Sequence, residues 1–359
     1  MSDPLLATYI HHLDPFAIQF TETFGIRWYG LAYVAGFVAA FLIIRWFVRM
    51  GASELKESQV ADFVTICAVG TMVGGRLGYM FLYNFGEMMS NPLSIFDVMG
   101  GGMSSHGGIA GICIAAWFYA RYTKKSWLGF GDSLVVVAPV GVFFGRLANF
   151  INGELYGRVT TSSWAMKFPD ELHELEKTSQ GMAWVFPMEQ LRALAEKAST
   201  VAPDLLARMN TVASTAQANG FDPHRPVANL LIETSRENEG FRAMLGEILN
   251  PRHPSQLYEA VVEGLLPFLL LLVVRVYWKN LYHGIITGIF FILYAIGRIL
   301  VENFREPDSS FIMGMTKGQF YSLFMIGIGI AFLAYAMKAK RRNHLPDLIA
   351  GNESGKRTS

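Results

Sequence analysis

Seven stretches of this chain are apolar over runs long enough to cross a bilayer: roughly 28–48, 60–83, 106–122, 131–151, 256–277, 284–303 and 318–337. A helical span needs about 20 such residues. Inside lipid each backbone N–H and C=O must find a partner within the chain, so such runs are restricted to helices or closed barrels. The expected fold class is an all-α polytopic membrane protein with seven transmembrane helices. Charged residues make up only 16% of the chain, against about 25% in a soluble domain. The net charge of +1 gives no footprint for nucleic acid. The first run has no basic region before it and no small-residue cleavage site near its end, so it reads as a retained span.

Basic residues set the expected orientation. Arg45, Arg49 and Lys56 follow the first run, and Arg121, Lys124 and Lys125 the third. Arg275 and Lys279 follow the fifth, and Lys338, Lys340, Arg341 and Arg342 the seventh. The connection Asn84 to Ser105 has no Lys or Arg. The positive-inside rule then puts the N-terminus outside and the C-terminus in the cytoplasm. Four regions are expected. Helices one to four of the membrane body occupy 1–158, an extracytoplasmic head 159–252, helices five to seven 253–337, and a cytoplasmic tail 338–359. Within the head, apolar spacing predicts helices over 170–177, 187–199, 203–218 and 226–249, with strand character near Trp164 to Phe168. Cys67 and Cys113 sit inside apolar runs and read as buried small hydrophobes.

Polar residues inside the runs mark the chemistry, because a charge near the bilayer centre costs about 2.5–3.5 kcal/mol even on the lenient insertion scale. The densest cluster is Gly145 to Arg158, GRLANFINGELYGR. Arg146 and Asn149 lie three apart and share a helical face. Gln256 and Glu259 do likewise, while Tyr294, Arg298 and Glu302 form one stripe at spacing four. Tyr29, His106 and His253 each open a run from the outer side. The expected convergence is one polar cavity in the outer half of the bilayer, with nothing comparable in the cytoplasmic half. A guanidinium is a planar fork of donors suited to phosphate. Arg146 and Arg298 are therefore expected to face one phospholipid phosphate. Bland readings stand beside these: Arg298 and Glu302 as a structural ion pair, Arg76 as an interhelical contact, Tyr29 as an interfacial aromatic, and His106 as a helix-start residue. Glycines around His106, in the run Gly100 to Gly108, favour close approach to a ligand. A weak echo, Gly75-Arg76, Gly145-Arg146 and Gly297-Arg298, repeats at the ends of even-numbered runs.

Several blocks in order resemble the prolipoprotein diacylglyceryl transferase family. They are Arg27 to Gly30, Gly75 to Tyr79, Gly101 to Gly108, Gly145 to Gly157, Arg252 to Glu259, Tyr294 to Arg298 and Glu302 to Asp308. The resemblance implies a seven-helix bacterial inner-membrane transferase with a periplasmic head and a cavity open to the outer leaflet. Its implied partners are phosphatidylglycerol, the lipobox segment of a prolipoprotein and membrane lipid. No metal or soluble cofactor is implied. The implied catalytic residues are His106, Arg146, Arg298 and Tyr29. The implied substrate-binding residues are Arg146, Asn149, Glu154, Gly157, His253, Gln256, Glu259, Tyr294 and Glu302. Two departures stand out: the segment from Pro169 to Leu249 is longer than expected, and Ser105 replaces a bulkier residue.

Two other classes fit a polar cavity. A phospholipid or solute transporter needs polar lining that continues into the cytoplasmic half. An intramembrane hydrolase would use Ser104 or Ser105 with His106, although no hydrolase elbow motif is present.

Overall fold

The computed structural model describes residues 9–21, 24–97, 101–179, 181–307 and 311–342. Gly100, Asp308 and the expected tail from 343 onward lie outside them. In chain order, β1 (Tyr9–Ile10), β2 (Phe16–Gln19) and β3 (Gly25–Arg27) precede α1 (Trp28–Arg49). Next come α2 (Val60–Leu82), a short α3 (Phe85–Ser90), α4 (Ser105–Thr123) and α5 (Trp127–Asn152). β4 (Met166–Lys167), β5 (Leu175–Thr178) and β6 (Gly181–Trp184) lead into α6 (Met188–Lys197), α7 (Leu205–Ala218), α8 (His224–Glu237) and α9 (Glu239–Ile248). α10 (Ser255–Glu259) runs through a π-helical stretch, Ala260–Leu265, into α11 (Leu266–Tyr277). α12 (Ile285–Val301) and α13 (Lys317–Ala339) complete the chain.

Five helical segments are long and apolar enough to cross a membrane: Trp28–Arg49, Glu57–Leu82, Trp127–Asn152, Ser255–Tyr277 and Lys317–Ala339. The apolar helix Ile285–Val301 is shorter. The chain is thus a mostly helical, multi-pass membrane protein. It is not purely helical, because β1 pairs with β4 in parallel, and β2 with β3 and β5 with β6 pair antiparallel. These pieces are two to four residues long, too short for an alternating pattern to stand out in a sequence.

The chain divides into two compact units. The first holds Ala32–Phe144, Ala260–Leu300 and the chain from Phe311. Its interior packs Ile44, Phe63, Tyr119 and Phe130 in one cluster and Phe47, Val136, Leu271 and Ile286 in another. Many of its large apolar side chains, Val34, Met72, Phe118 and Phe324 among them, are more than half exposed, as lipid-facing residues must be. Apolar burial therefore gives little drive for helix association, and close packing takes over. Gly70, Gly74 and Gly78 on α2 face Gly107 and Gly111 on α4. A Cβ on Gly78 would lie 2.7 Å from the Gly107 Cα, and one on Gly70 2.8 Å from the Ala115 Cβ. Gly107 thus serves helix packing. Cys67 is buried as expected, but Cys113 is exposed on α4, because a small apolar residue also suits a lipid-facing surface.

Against expectation, this unit also carries a buried polar group at the helix ends that bear the basic loops. Asp132 is 1% exposed. It accepts hydrogen bonds from Gly284 N at 2.8 Å, Thr287 N at 2.8 Å and Thr287 Oγ1 at 2.7 Å. The carboxylate on α5 thereby caps the start of α12, satisfying N–H groups that a helix N-terminus leaves without partners. Beside it, Arg275 Nη2 lies 3.5 Å from Ser133 Oγ, and Glu54 pairs with His283 at 3.5 Å and accepts from Ser126 N at 2.9 Å. The sequence concealed this group because its members lie far apart in the chain.

The second unit holds the chain through Leu31, Gly145–Glu259 and the segment from Val301. Helices α6 to α9 bury Leu191, Leu205, Leu231, Phe241 and Leu245 in one core. The helix expected over 170–177 is instead a 3-10 turn, Pro169–His173, followed by β5. The single helix expected over 226–249 is broken where Asn238 caps α9, its side chain accepting from Phe241 N at 2.9 Å. Pro226 lies in the first turn of α8, whereas Pro203 precedes α7 and its Asp204 N-cap. Arg252, 4% exposed, ties the unit together. It reaches Glu171 at 2.6 Å, Glu174 at 2.7 Å and Glu306 at 3.2 Å.

Candidate active site

The expected site residues of the second unit gather around the last turn of α5 and the loop beyond it. Gly153 and Leu155 both take left-handed backbone angles, φ 76° and 57°. Such a φ is costly for leucine, and it turns the chain sharply on either side of Glu154. The Glu154 carboxylate accepts from Asn149 Nδ2 at 3.0 Å, and the same amide donates to the Tyr29 hydroxyl. Gln256 Nε2 donates to the Glu154 carbonyl at 2.7 Å. Tyr29, Asn149, Glu154 and Gln256, drawn from three distant parts of the chain, thus form one hydrogen-bonded chain. The Tyr29 hydroxyl is thus held within this network.

Arg146, one turn earlier on α5, pairs with Glu259 at 2.8 Å. Glu259 is fully buried and also holds Arg305 at 3.1 Å. Two guanidiniums share one carboxylate, and the Arg146 side chain keeps 18% exposure. Gly157 is backbone-bonded to His253 O at 2.8 Å, and a Cβ there would lie 2.8 Å from the His253 Cβ. Only glycine fits this crossing. The His253 ring meets Tyr258 Oη at 3.2 Å and packs edge-on against Phe304. Partial burial lowers its pKa from the usual value, which favours the neutral ring. Glu302, 5% exposed, lies just beyond α12.

In the first unit, Arg298 pairs with Glu263 at 3.2 Å. Glu263 is fully buried within the π-helical stretch, a feature frequent at functional sites. Two glycines allow the close fit. A Cβ on Gly264 would lie 2.8 Å from the Phe143 Cα, and one on Gly297 3.0 Å from the Val262 carbonyl oxygen. Tyr294, one turn before Arg298, packs on Phe290 with ring centroids 5.9 Å apart. His106 is exposed in the first turn of α4. Ser104 is the N-cap of that helix, its hydroxyl accepting from Gly107 N at 3.2 Å. That bond caps the start of α4. Arg76 donates to the carbonyls of Ser94, Ile95, Gly101 and Gly102, a structural role, though on the chain leading into α4 and not as the interhelical contact expected.

Glu263 and Arg305 are absent from the sequence-based set. Glu263 lies four residues after Glu259 in an apolar run, so the same penalty on buried charge could have flagged it. Arg305 follows Glu302 by three, and the end of α12 hides that spacing.

Together the fold and these clusters define a class: a multi-pass membrane protein whose spans carry buried Arg–Glu pairs beside partly exposed guanidinium groups. Comparison with known proteins narrows it. The family model described as prolipoprotein diacylglyceryl transferase matches residues 15–335. A phosphatidylglycerol–prolipoprotein diacylglyceryl transferase of Bdellovibrio bacteriovorus is 36% identical over 352 residues, covering 92% of this chain and 94% of its own. One from Psychrobacter arcticus is 34% identical, covering 87% and 90%. One from Rickettsia felis is 32% identical, covering 92% and 96%. The chain belongs to the prolipoprotein diacylglyceryl transferase family.

Proposed function

We propose that the chain transfers the diacylglyceryl group of phosphatidylglycerol to the lipobox cysteine of a prolipoprotein, the first step of lipoprotein maturation in the bacterial inner membrane. The observation that carries this reading is the end-to-end match to relatives named for that reaction. The thiolate attacks the glyceryl carbon bonded to the phosphate ester. A C–S bond forms, the C–O bond breaks, and glycerol phosphate leaves with the bonding pair. The thiol proton passes to a base.

The site residues take the following roles. Arg146 and Arg298 donate to the lipid phosphate and stabilise the charge that develops as it leaves. Glu259, expected to touch substrate, is fully buried and takes the role of holding Arg146, as Glu263 holds Arg298. His106 accepts the thiol proton or orients the thiol, and Tyr29 assists. Asn149, Glu154 and Gly157 shape the headgroup site, Gln256, fully buried, holds the Glu154 carbonyl instead of touching lipid, and His253, Tyr294 and Glu302 complete the lipid contacts. The buried position of the acidic partners supports this assignment. A guanidinium fixed at one end is pre-organised, and the remaining N–H donors need no reorientation during reaction.

The reading includes seven spans, with α4 and α12 crossing beside the five longer segments. The N-terminus and the 159–252 head lie in the periplasm, and the tail is cytoplasmic. The rival transporter finds some support in the buried Asp132 group, but that carboxylate is engaged by three donors as a helix cap.

Counting glycerol phosphate separates the three classes. The transferase releases it from phosphatidylglycerol only when a cysteine-containing lipobox peptide is present. Release without peptide points to a hydrolase, and lipid movement without release to a transporter. Either of those two results refutes the proposal.

A further inference from the structure

The first unit carries an open groove of about 570 Å³ where the end of α4, the start of α5 and the second half of α13 meet. Three cationic residues line it: Arg121, Lys125 and Arg341. Its walls are aromatic, with Trp117 44%, Trp127 40% and Tyr335 50% exposed. The floor along α13 includes Phe332. No carboxylate lines it among the described residues. Glu54 accepts from the backbone N of the lining residue Ser126 at 2.9 Å and pairs with His283 at 3.5 Å. Arg341 is fixed by its carbonyl, which accepts from His283 N at 2.8 Å.

We propose that this groove binds one anionic phospholipid, its phosphate among Arg121, Lys125 and Arg341 and an acyl chain along Phe332 and the apolar face of α13. The charge pattern selects the occupant. Three cations in a lining that holds no carboxylate favour a net-negative headgroup over a zwitterionic one, while indole and phenol rings suit the membrane–water boundary. Basic pockets between spanning helices hold anionic headgroups in this way. The lipid is a bound neighbour here and does not react, since no group of the transfer chemistry lines the groove. The inference is independent of the proposed transfer reaction.

Brominated lipids test it by tryptophan quenching. In a variant retaining only Trp117 and Trp127, with the other tryptophans changed to Phe, brominated phosphatidylserine should quench in preference to brominated phosphatidylcholine. Each Lys or Arg near an anionic surface contributes about fivefold in affinity, so the preference should be on the order of fivefold or more. It should weaken with salt and vanish in Arg121→Gln/Lys125→Gln/Arg341→Gln. Native mass spectrometry of the otherwise unaltered chain offers a second reading. The triple variant should retain one phosphatidylserine fewer than the parent, with transfer activity preserved. Equal quenching by the two lipids, or an unchanged lipid count in the triple variant, overturns the proposal.

Discussion

At the scale of residues, the account turns on guanidiniums anchored by buried carboxylates. Lysine keeps the charge of Arg146 or Arg298 but loses the planar fork. Arg146→Lys and Arg298→Lys should each slow transfer severely, and alanine should slow it by ~10²-fold or more, the scale for one lost transition-state donor. Single-turnover rates at saturating phosphatidylglycerol measure this, and normal rates in Arg146→Ala would return that residue to a structural role. Glu263 acts through Arg298, so Glu263→Gln should lower kcat more than it raises KM, with Glu263→Asp restoring part of the rate. Equal activity in both variants would show that the pair does not position Arg298. A separate prediction concerns Asp170, whose carboxyl is pushed up to about 6 from 3.8, mainly by burial and then by Glu154. Because the folded chain holds this proton more tightly, stability is lost as pH rises from about 4 through 6. Asp170→Asn should therefore gain up to about 3 kcal/mol over the parent at pH 8 and nothing at pH 3. A stability difference that does not change with pH would contradict this. The polar set was legible because charge is rare in apolar runs. Its pairings were not, since Arg146 meets Glu259 across more than a hundred residues of sequence.

At the scale of elements, the apolar runs fall on helices in every case, because run length and backbone satisfaction leave few alternatives. The finer features depended on distant partners. The π-helical stretch at Ala260–Leu265 and the cap that Asp132 supplies to α12 have no local signature. In the second unit, amphipathic spacing marked α6 and α7 well. It also ran across Asn238, where one side-chain cap begins a new helix. The α2–α4 contact makes a sharp prediction. Gly111 lies against Gly70 and Gly74 with no space for a side chain, so Gly111→Leu should reduce folded yield and thermal stability. Gly86 has open space around its Cβ position, and Gly86→Ala should be tolerated. Equal stability of the two variants would contradict the packing argument. Arg252 offers the corresponding test in the other unit. Its removal leaves Glu171 buried without its main partner, and Arg252→Ala should cost about 3–5 kcal/mol, read as a lower unfolding temperature.

At the scale of the whole molecule, the claims are an orientation and a reaction. A cysteine at Ser126 should react with impermeant reagents only from the cytoplasm, and one at Ser214 only from the periplasm. The reverse pattern would overturn the placement of the head. Membership of the family was legible from motif order alone, because several blocks recur in register along most of the chain. The two-unit division was less so, since the segment through Leu31 and the one from Val301 join Gly145–Glu259 in one unit. The most direct measurement is the mass of a lipobox peptide incubated with the purified protein and phosphatidylglycerol. The account predicts a gain of one diacylglyceryl group on the cysteine, none with a Cys-to-Ser peptide, and none when the lipid is omitted. A peptide of unchanged mass, with folded protein and both substrates present, would contradict it.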